Sequence, residues 1–239
     1  MSSSNRREDV FMIQPQIYRT QDIRANLRHA GLPVLDVMLT GVTGAGKSST
    51  INRLFGSNRA RVGYGVEPMT MTNNAYCLQN AMRFWDTPGL GDGKQQDKLH
   101  EESLINLLYK TWEVDQKKHG FIDMAVVIVE GSNRDMGTTF HLLRNVVLPC
   151  IEPERVVVAI NQADVAMKGR FWDDQSKRPL PPLQQFLEQQ AESVQRRINE
   201  SCGIKINKPI YYSAEHNFNI DVLLDQIIDA MPSERRNLK

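Results

Sequence analysis

The sequence has 239 residues, 41% of them apolar, and a formal net charge of +1. This length suffices for one well-buried α/β domain, although length alone allows two. A net charge near zero gives no general electrostatic reason to expect DNA, RNA or membrane binding. No apolar stretch approaches the length of a membrane span, and the polar residues 1–9 lack the apolar core of a secretion signal. The three cysteines have neither metal-ligand nor disulfide spacing, and we therefore expect a cytoplasmic protein.

The first predicted helix covers residues 17–30, with Ile17, Ile23 and Leu27 roughly on one face and Gly31 as its stop. Because this helix precedes every chemical motif, we divide the chain into an N-terminal extension with one helix at 1–32, a main domain at 33–232 and a polar tail at 233–239. The extension is expected to brace the domain or to contact a partner. We expect residues 1–9 and the tail to be frayed.

Continuous apolar character predicts five buried strands, and a weaker sixth segment is a candidate for the sheet edge. The buried strands are 34–40, 81–85, 122–129, 156–160 and 209–212, and the edge candidate is 74–79. Helix-like segments alternate with them at 47–54, 98–117, 138–148, 183–199 and 220–231. This alternation predicts a three-layer α/β fold, in which a mostly parallel sheet of about six strands has helices on both faces.

Apolar stripes predict which helix faces enter the core. The stripe in 183–199 consists of Leu183, Phe186, Leu187, Val194 and Ile198. The inward face of 98–117 is expected to consist of Leu104, Leu107, Leu108 and Trp112.

A glycine-rich segment that follows the first strand matches the phosphate-loop pattern GxxxxGK[ST]. It consists of Gly41, Val42, Thr43, Gly44, Ala45, Gly46, Lys47 and Ser48. Glycines let the backbone N–H groups surround a phosphate, and the following helix adds the positive end of its dipole. We expect Lys47 to reach the β- and γ-phosphates of a nucleoside triphosphate, Ser48 to bind Mg²⁺, and Ser49 to extend the nucleotide contacts. The alternative is an ordinary glycine-rich turn that matches the pattern by chance.

A second phosphate element, Asp86-Thr87-Pro88-Gly89, follows the strand at 81–85. A carboxylate at the strand tip can hold a water molecule on Mg²⁺, and Gly89 allows its backbone N–H to approach the γ-phosphate. The pattern DxxG alone is usually an ordinary turn. The preceding apolar strand and the phosphate loop upstream favour the phosphate-sensing interpretation.

Two polar segments follow later strands: NQAD at 161–164 and SAE at 213–215. With the phosphate loop and DTPG, in this order and each at a strand end, they resemble the motif set of the P-loop GTPase superfamily. Within it the chain is most similar to the Era-like branch. The resemblance covers most of the chain from Gly41 and identifies 33–232 as a GTPase domain that binds GTP and GDP.

The resemblance implies a role for each base-side residue. Asp164 would accept two hydrogen bonds from the guanine N1–H and 2-amino group, a donor pair that adenine lacks. Asn161 would fix the phosphate loop and approach guanine N7, and the Ala214 N–H between Ser213 and Glu215 would meet O6. Gln162 stands where the family usually has a lysine whose stem covers the base. We therefore expect guanine preference with weakened affinity.

The segment GVEPMTM at 65–71 resembles the switch I of immunity-related and other dynamin-like GTPases. By that resemblance Thr70 is the second hydroxyl ligand of Mg²⁺, and Thr72 is the alternative.

In the Ras-like pattern a glutamine follows DxxG, but Leu90 stands there and can neither orient water nor stabilise charge. Another group must do so, and the nearby candidates are Arg59, Arg61, Glu67 and Asp92.

The resulting expectation is slow, Mg²⁺-dependent hydrolysis of GTP by a molecular switch. Its catalytic residues would be Lys47, Thr70, Asp86 and Gly89, and its metal ligands Ser48, Thr70 and Asp86. One alternative is a binding module whose hydrolysis is negligible without a protein or ribosomal partner, and another is activation in a nucleotide-dependent homodimer. A membrane-associated dynamin-like GTPase is the third, disfavoured because the chain leaves no room for a stalk or lipid-binding region.

Overall fold

The computed structural model describes residues 18–55, 74–91, 93–114, 116–132 and 135–238. The helices are α1 (Thr20–Ala30), α2 (Lys47–Phe55), α3 (Lys94–Tyr109), α4 (Gly137–Leu142), α5 (Pro181–Cys202) and α6 (Ile220–Asp229). The strands are β1 (Leu35–Gly41), β2 (Asn74–Leu78), β3 (Met82–Asp86), β4 (Thr111–Val114), β5 (Lys117–Gly120), β6 (Met124–Glu130), β7 (Val156–Asn161), β8 (Trp172–Asp173), β9 (Arg178–Pro179) and β10 (Ile210–Tyr211). None of the helices in these ranges is long and apolar enough to cross a bilayer.

Six strands form one sheet in the order β10-β7-β6-β1-β3-β2. All neighbours are parallel except β2 and β3, which form an antiparallel pair at one edge. Every residue of β1 and of β7 is buried, which explains why these central strands are mostly apolar on both faces rather than alternating. The predicted three-layer α/β fold and the edge position of the strand at 74–78 are confirmed.

Side chains from the sheet enter two separate cores, one on each face. In β6, Met124, Val126 and Ile128 belong to the core that also includes residues of α1, α2 and α6. Ala125, Val127 and Val129 belong to the opposite core, with residues of α3, α4 and α5. The two-residue period of a strand thus divides one apolar run between two helical layers.

Helix α1 belongs to the first core. Ile23, Leu27 and Ala30 are buried, and Gly31 ends the helix with a φ of 65°. At the start of the helix, the Tyr18 hydroxyl donates to Asp225 of α6 at 2.9 Å. The helix therefore braces the domain, one of the two roles expected for it.

The stripe predicted for α5 is core packing, because Leu183, Leu187, Val194 and Ile198 are all buried. The prediction for 98–117 is wrong in part: α3 ends at Tyr109, and β4 and β5 form an antiparallel hairpin. Lys110 takes an extended conformation, and the segment after it supplies the threonine, tryptophan and valine that favour strands. Trp112 consequently lies on the hairpin, where the Arg235 guanidinium is 5.0 Å from its ring centroid.

The prediction of a frayed C-terminal tail is wrong for residues 233–238. Arg236 is only 1% exposed, and its guanidinium donates to the carbonyl oxygens of Leu108, Ile122 and Cys150 at 2.6, 2.6 and 2.8 Å. Its own carbonyl accepts from the Gly120 N–H at 2.9 Å. An arginine can supply up to five hydrogen-bond donors in a fixed plane, so this one side chain satisfies three buried carbonyl oxygens.

Candidate nucleotide-binding site

The loops after β1, β3, β7 and β10 lie at one edge of the sheet, since parallel strands have their carboxyl ends on the same side. The register pairs Leu39 with Asp86 and Ile160 with Tyr211, so these strands end at similar heights. Strand β1 has β3 on one side and β6 on the other, and this reversal of strand order is where open α/β sheets bind ligands.

The Lys47 side chain lies over the phosphate loop that precedes it. Its ammonium donates to the carbonyl oxygens of Gly41 and Val42 at 3.3 and 3.0 Å, and the residue is 7% exposed. The helix that follows is fixed by Thr50, whose hydroxyl donates to the Gly46 carbonyl at 2.8 Å and lies 2.8 Å from the Tyr212 hydroxyl. A buried ammonium beside backbone N–H groups is suited to an anion that brings its own charge.

Asn161 joins the phosphate loop to the base-side loops. Its amide donates to the Ala45 carbonyl at 2.9 Å, and its carbonyl oxygen accepts from the Ala214 N–H at 3.1 Å. The fit is close, because a Cβ at Gly46 would lie 2.2 Å from the Asn161 amide nitrogen. The structure thus shows the loop-fixing role expected of Asn161, whereas its contact with guanine N7 stays a prediction.

Ser48 and Asp86 are brought together across the site. The Ser48 hydroxyl donates to Asp86 Oδ2 at 2.7 Å. Burial raises the pKa of Asp86. The hydrogen bond from Ser48 and the positive charge of Lys47 lower this pKa in part. The other oxygen, Oδ1, is buried without a hydrogen-bond partner among the described residues. A hydroxyl and a carboxylate with an unsatisfied oxygen are hard oxygen donors, and this set fits the expected Mg²⁺.

Gly89 contacts the phosphate loop directly. A Cβ there would lie 2.6 Å from both Lys47 Nζ and the Thr43 nitrogen, so only glycine fits. The next residue is held by two backbone hydrogen bonds: the Thr43 N–H donates to the Leu90 carbonyl at 2.7 Å, and the Leu90 N–H donates to Gly41 at 3.3 Å. The Leu90 side chain is 1% exposed and packs in the core beside α3. This side chain is therefore part of the hydrophobic core.

On the base side, the Gln162 amide donates to the Gly44 carbonyl at 2.8 Å. Gln162 takes a left-handed conformation with a φ of 64°. The residue thus connects the NQAD segment to the phosphate loop, although it lacks the charge of a lysine. The Asp164 carboxylate lies 3.8 Å from Nε2 of His216.

The residues of SAE have separate roles in this arrangement. The Ser213 hydroxyl accepts from the His216 N–H at 3.2 Å. The carbonyls of Ala214 and Glu215 accept from Arg53 of α2 at 2.7 and 2.6 Å. Because the Ala214 N–H already donates to Asn161, its predicted bond to guanine O6 would have to be shared with that contact.

Several predicted residues are not assembled here. Ser49 is exposed on α2. The segment 65–71 with Thr70, the alternative Thr72, and the charged candidates Arg59, Arg61, Glu67 and Asp92 lie outside the described residues. In the described ranges no cluster of three histidine, cysteine or acidic side chains could hold a metal ion.

Two contacts were not anticipated from sequence. His100 Nδ1 lies 2.6 Å from the Gly89 carbonyl oxygen, and because a carbonyl can only accept, this nitrogen carries the proton. The Trp172 ring packs on the His216 ring with centroids 5.2 Å apart. His100 lies in α3, 11 residues after Gly89. Neither a sequence pattern nor the spacing of these residues signals either contact.

The phosphate loop, DTPG and the base-side loops at one edge of a mostly parallel sheet define the domain of a P-loop GTPase. The sequence profile of the family described as 50S ribosome-binding GTPase matches residues 36–171, which is more than half of the chain. The chain belongs to this family. It is accordingly a GTP-binding protein of the switch type, and GTP hydrolysis is the general activity of its family.

Individual relatives agree with this assignment. The chain is 24% identical over 212 residues to the tRNA modification GTPase MnmE of Porphyromonas gingivalis, covering 87% of this chain and 37% of MnmE. It is 41% identical over 70 residues to Interferon-inducible GTPase 1 of Mus musculus, covering 27% of this chain and 17% of that protein. The chain thus spans less than two-fifths of either relative.

A solved structure supports the fold. A variant of Era from Aquifex aeolicus, bound to GDP and AlF4⁻, superposes with a TM-score of 0.51 at 18% identity. The superposition covers 84% of this chain and 58% of the Era chain. At this identity the likeness concerns the fold alone.

Proposed function

We propose that this protein binds GTP and GDP with Mg²⁺, hydrolyses GTP slowly and acts as a nucleotide-dependent switch. The observation that carries the proposal is the convergence of Lys47, Ser48, Asp86 and Gly89 from two neighbouring strand ends. These four residues come from two separate sequence motifs, yet they form one contiguous polar cluster. A chance glycine-rich turn would not require the second motif to meet it.

Lys47 and the metal-side residues would exchange contacts when the nucleotide enters. The Lys47 ammonium would leave the carbonyls of Gly41 and Val42 for β- and γ-phosphate oxygens, which carry more negative charge. Ser48 and the free oxygen of Asp86 would hold Mg²⁺, directly and through water respectively, with Thr70 as the proposed second hydroxyl. When bound, the ion would supply positive charge that offsets the negative charge developing during phosphoryl transfer.

Gly89 would provide the switch. Its N–H would donate to the γ-phosphate, and the close packing of Gly89 on Thr43 and Lys47 means that a γ-phosphate must move this segment. The bonds that hold Leu90 to the phosphate loop and Gly89 to His100 would then rearrange. Loss of the γ-phosphate would restore them, so residues 90–96 would report which nucleotide is bound.

The base would be selected by Asp164, which accepts two hydrogen bonds from guanine. Gln162 would cover part of the ring from its position on Gly44. Asn161 and the Ala214 N–H would complete the edge contacts. Without the lysine charge at 162, guanine affinity is expected to be lower than in relatives that have it.

Slow hydrolysis follows from Leu90. Its side chain is buried in the core, and a hydrocarbon chain can neither orient water nor stabilise charge on the transferring phosphate. Water must be positioned by backbone groups, by another side chain or by a second molecule.

The test is GDP, GTP and ATP binding by titration calorimetry, followed by single-turnover GTP hydrolysis over a range of protein concentrations. Lys47→Ala should abolish phosphate-dependent binding and turnover, and Lys205→Ala, which removes an exposed lysine, is the matched control. Equal affinity for GTP and ATP would contradict the guanine assignment. A Lys47→Ala protein that binds and hydrolyses like the original would overturn the central proposal.

The burial of Leu90 also favours a second candidate, a binding module that hydrolyses GTP only with a partner. A turnover rate that increases with protein concentration would indicate activation in homodimers, whereas near-zero turnover at every concentration would indicate a different partner. Because the family description names 50S ribosome binding, large ribosomal subunits are the first partner to test. Co-sedimentation with them in the presence of a non-hydrolysable GTP analogue would support this choice.

A further inference from the structure

His216 lies beside the carboxylate proposed to read the base. Its Nε2 is 3.8 Å from Asp164 Oδ2, and the two side chains are 22% and 11% exposed. This separation is longer than a hydrogen bond, so the imidazole acts on the carboxylate through the space that it fills. A ring at this distance occupies space into which the carboxylate could otherwise turn.

His216 is itself held in place by its backbone. It belongs to a loop that Ser213 and Phe218 close with two backbone hydrogen bonds of 3.0 Å. Within the loop, the His216 N–H donates to the Ser213 hydroxyl at 3.2 Å. The backbone that carries the imidazole is therefore constrained at both ends.

The ring of His216 is held by a tryptophan from a different part of the chain. The Trp172 ring packs on it with centroids 5.2 Å apart and an angle of 31°. Trp172 in turn contacts Phe218 edge-on at 5.6 Å and is paired with Pro179 in the β8–β9 hairpin. The hairpin, the tryptophan, the histidine and Asp164 thus form a continuous chain of contacts that ends at the base-reading carboxylate.

We propose that His216 is a positioning residue for guanine recognition, which orients the Asp164 carboxylate and is supported by Trp172. This inference rests on the proposed function, since it assumes that Asp164 reads guanine. A carboxylate accepts from both N1–H and the 2-amino group only when its plane is aligned with the base edge. A rotated carboxylate keeps one of these bonds and loses the other, so orientation determines how strongly the 2-amino group is recognised.

Inosine diphosphate isolates this effect because hypoxanthine has the N1–H and O6 of guanine but no 2-amino group. The ratio of GDP to IDP affinity therefore measures the second hydrogen bond alone. A hydrogen bond to a charged group contributes about 10-fold to 100-fold in affinity, and partial misalignment should remove about 5-fold of it. A role of His216 in folding alone would weaken both nucleotides equally and leave the ratio unchanged.

Two variants separate the contributions of the imidazole. His216→Phe keeps a ring against Trp172 that fills this space, and His216→Ala removes the ring. We expect His216→Ala to lower the GDP to IDP ratio about 5-fold, and His216→Phe to keep it within about twofold of the original. His29→Ala on the exposed face of α1 is the matched control, and circular dichroism of each variant reports folding.

The measurement is titration calorimetry of GDP, IDP and ADP against each full-length variant, with Asp164→Ala as the reference for complete loss of the ratio. A ratio unchanged in His216→Ala while Asp164→Ala abolishes it would overturn the inference and leave the proposed function standing. Tighter GDP binding by His216→Ala would overturn it as well, since it would mean that His216 competes with the base. If the original protein shows no preference for GDP over ADP, the proposed function itself fails.

Discussion

Replacing Asn161 by alanine tests whether the phosphate and base loops are physically joined. The side chain is 2% exposed and pairs with two buried backbone groups, the Ala45 carbonyl and the Ala214 N–H. Alanine would leave both groups without a partner and without access to water. The variant should therefore be less stable even before any nucleotide is added.

The size of the effect follows from those two contacts. Each buried polar group left unpaired costs about 1–3 kcal/mol, so we expect Asn161→Ala to lose about 3 kcal/mol of unfolding free energy. Domains of this size are stable by about 5–15 kcal/mol, so the variant should still fold. With a urea dependence of about 3 kcal/mol per molar, the unfolding midpoint should fall by about 1 M.

Urea unfolding without nucleotide, followed by circular dichroism, is the assay. Asn145→Ala is the control, because Asn145 is exposed and its amide makes a 2.8 Å contact with the His141 ring rather than with buried backbone groups. Asn161→Asp adds a finer test, since it keeps an acceptor for Ala214 but places a carboxylate oxygen against the Ala45 carbonyl. It should be no more stable than Asn161→Ala. A midpoint for Asn161→Ala within 0.2 M of the original, about 0.6 kcal/mol at that slope, would refute the reasoning.

Three further predictions concern stability, pH and affinity. Arg236→Ala should lose at least about 4.5 kcal/mol, since each of its three bonds from a charged donor is worth about 1.5–3 kcal/mol. Arg235→Ala should lose under about 1 kcal/mol, and similar urea midpoints for the two variants would contradict this. Burial raises the pKa of Asp123 to about 7, above the about 3.9 of an unfolded chain, so the folded protein retains a proton that the unfolded chain releases. Stability should consequently fall as pH rises from about 4 to about 7, and Asp123→Asn should show a smaller difference between urea midpoints at pH 5 and pH 8; an identical difference would count against it. Gln162→Ala, which removes the donor to Gly44, should weaken GDP binding about fivefold by calorimetry, and unchanged affinity would show that this contact is not needed.

The parts of the fold that could be predicted are those in which one short segment carries its own signal. The apolar runs of β6 and β7 and the mostly apolar β1 indicate strands covered on both sides, and the glycines of the phosphate loop indicate where the backbone must bend. For the same reason the positions of Lys47 and Ser48 at the start of α2 and of Asp86 at the end of β3 followed from the motifs. The roles of these residues toward a nucleotide stay predictions.

The parts that could not be predicted depend on partners far away in sequence. The residues 98–117 contain no proline or glycine to end a helix, and the hairpin becomes evident only from the pairing of β4 with β5. Likewise, nothing near Arg236 signals that three carbonyls from distant segments need a donor. The contact of Trp172 with His216 joins two loops that are ordinary in composition. In switch I, Thr70 stays a prediction, since it lies outside the described residues.

The burial of Arg236 bears on the order in which the protein can fold during synthesis. The carbonyls that it satisfies belong to segments made much earlier, at the end of α3, before β6 and before β7. While the chain is still being made, those carbonyls must remain paired with water, because their donor has not yet left the ribosome. The nucleotide loops and the central strands can assemble first, but the opposite end of the sheet can close only after residue 236 has emerged.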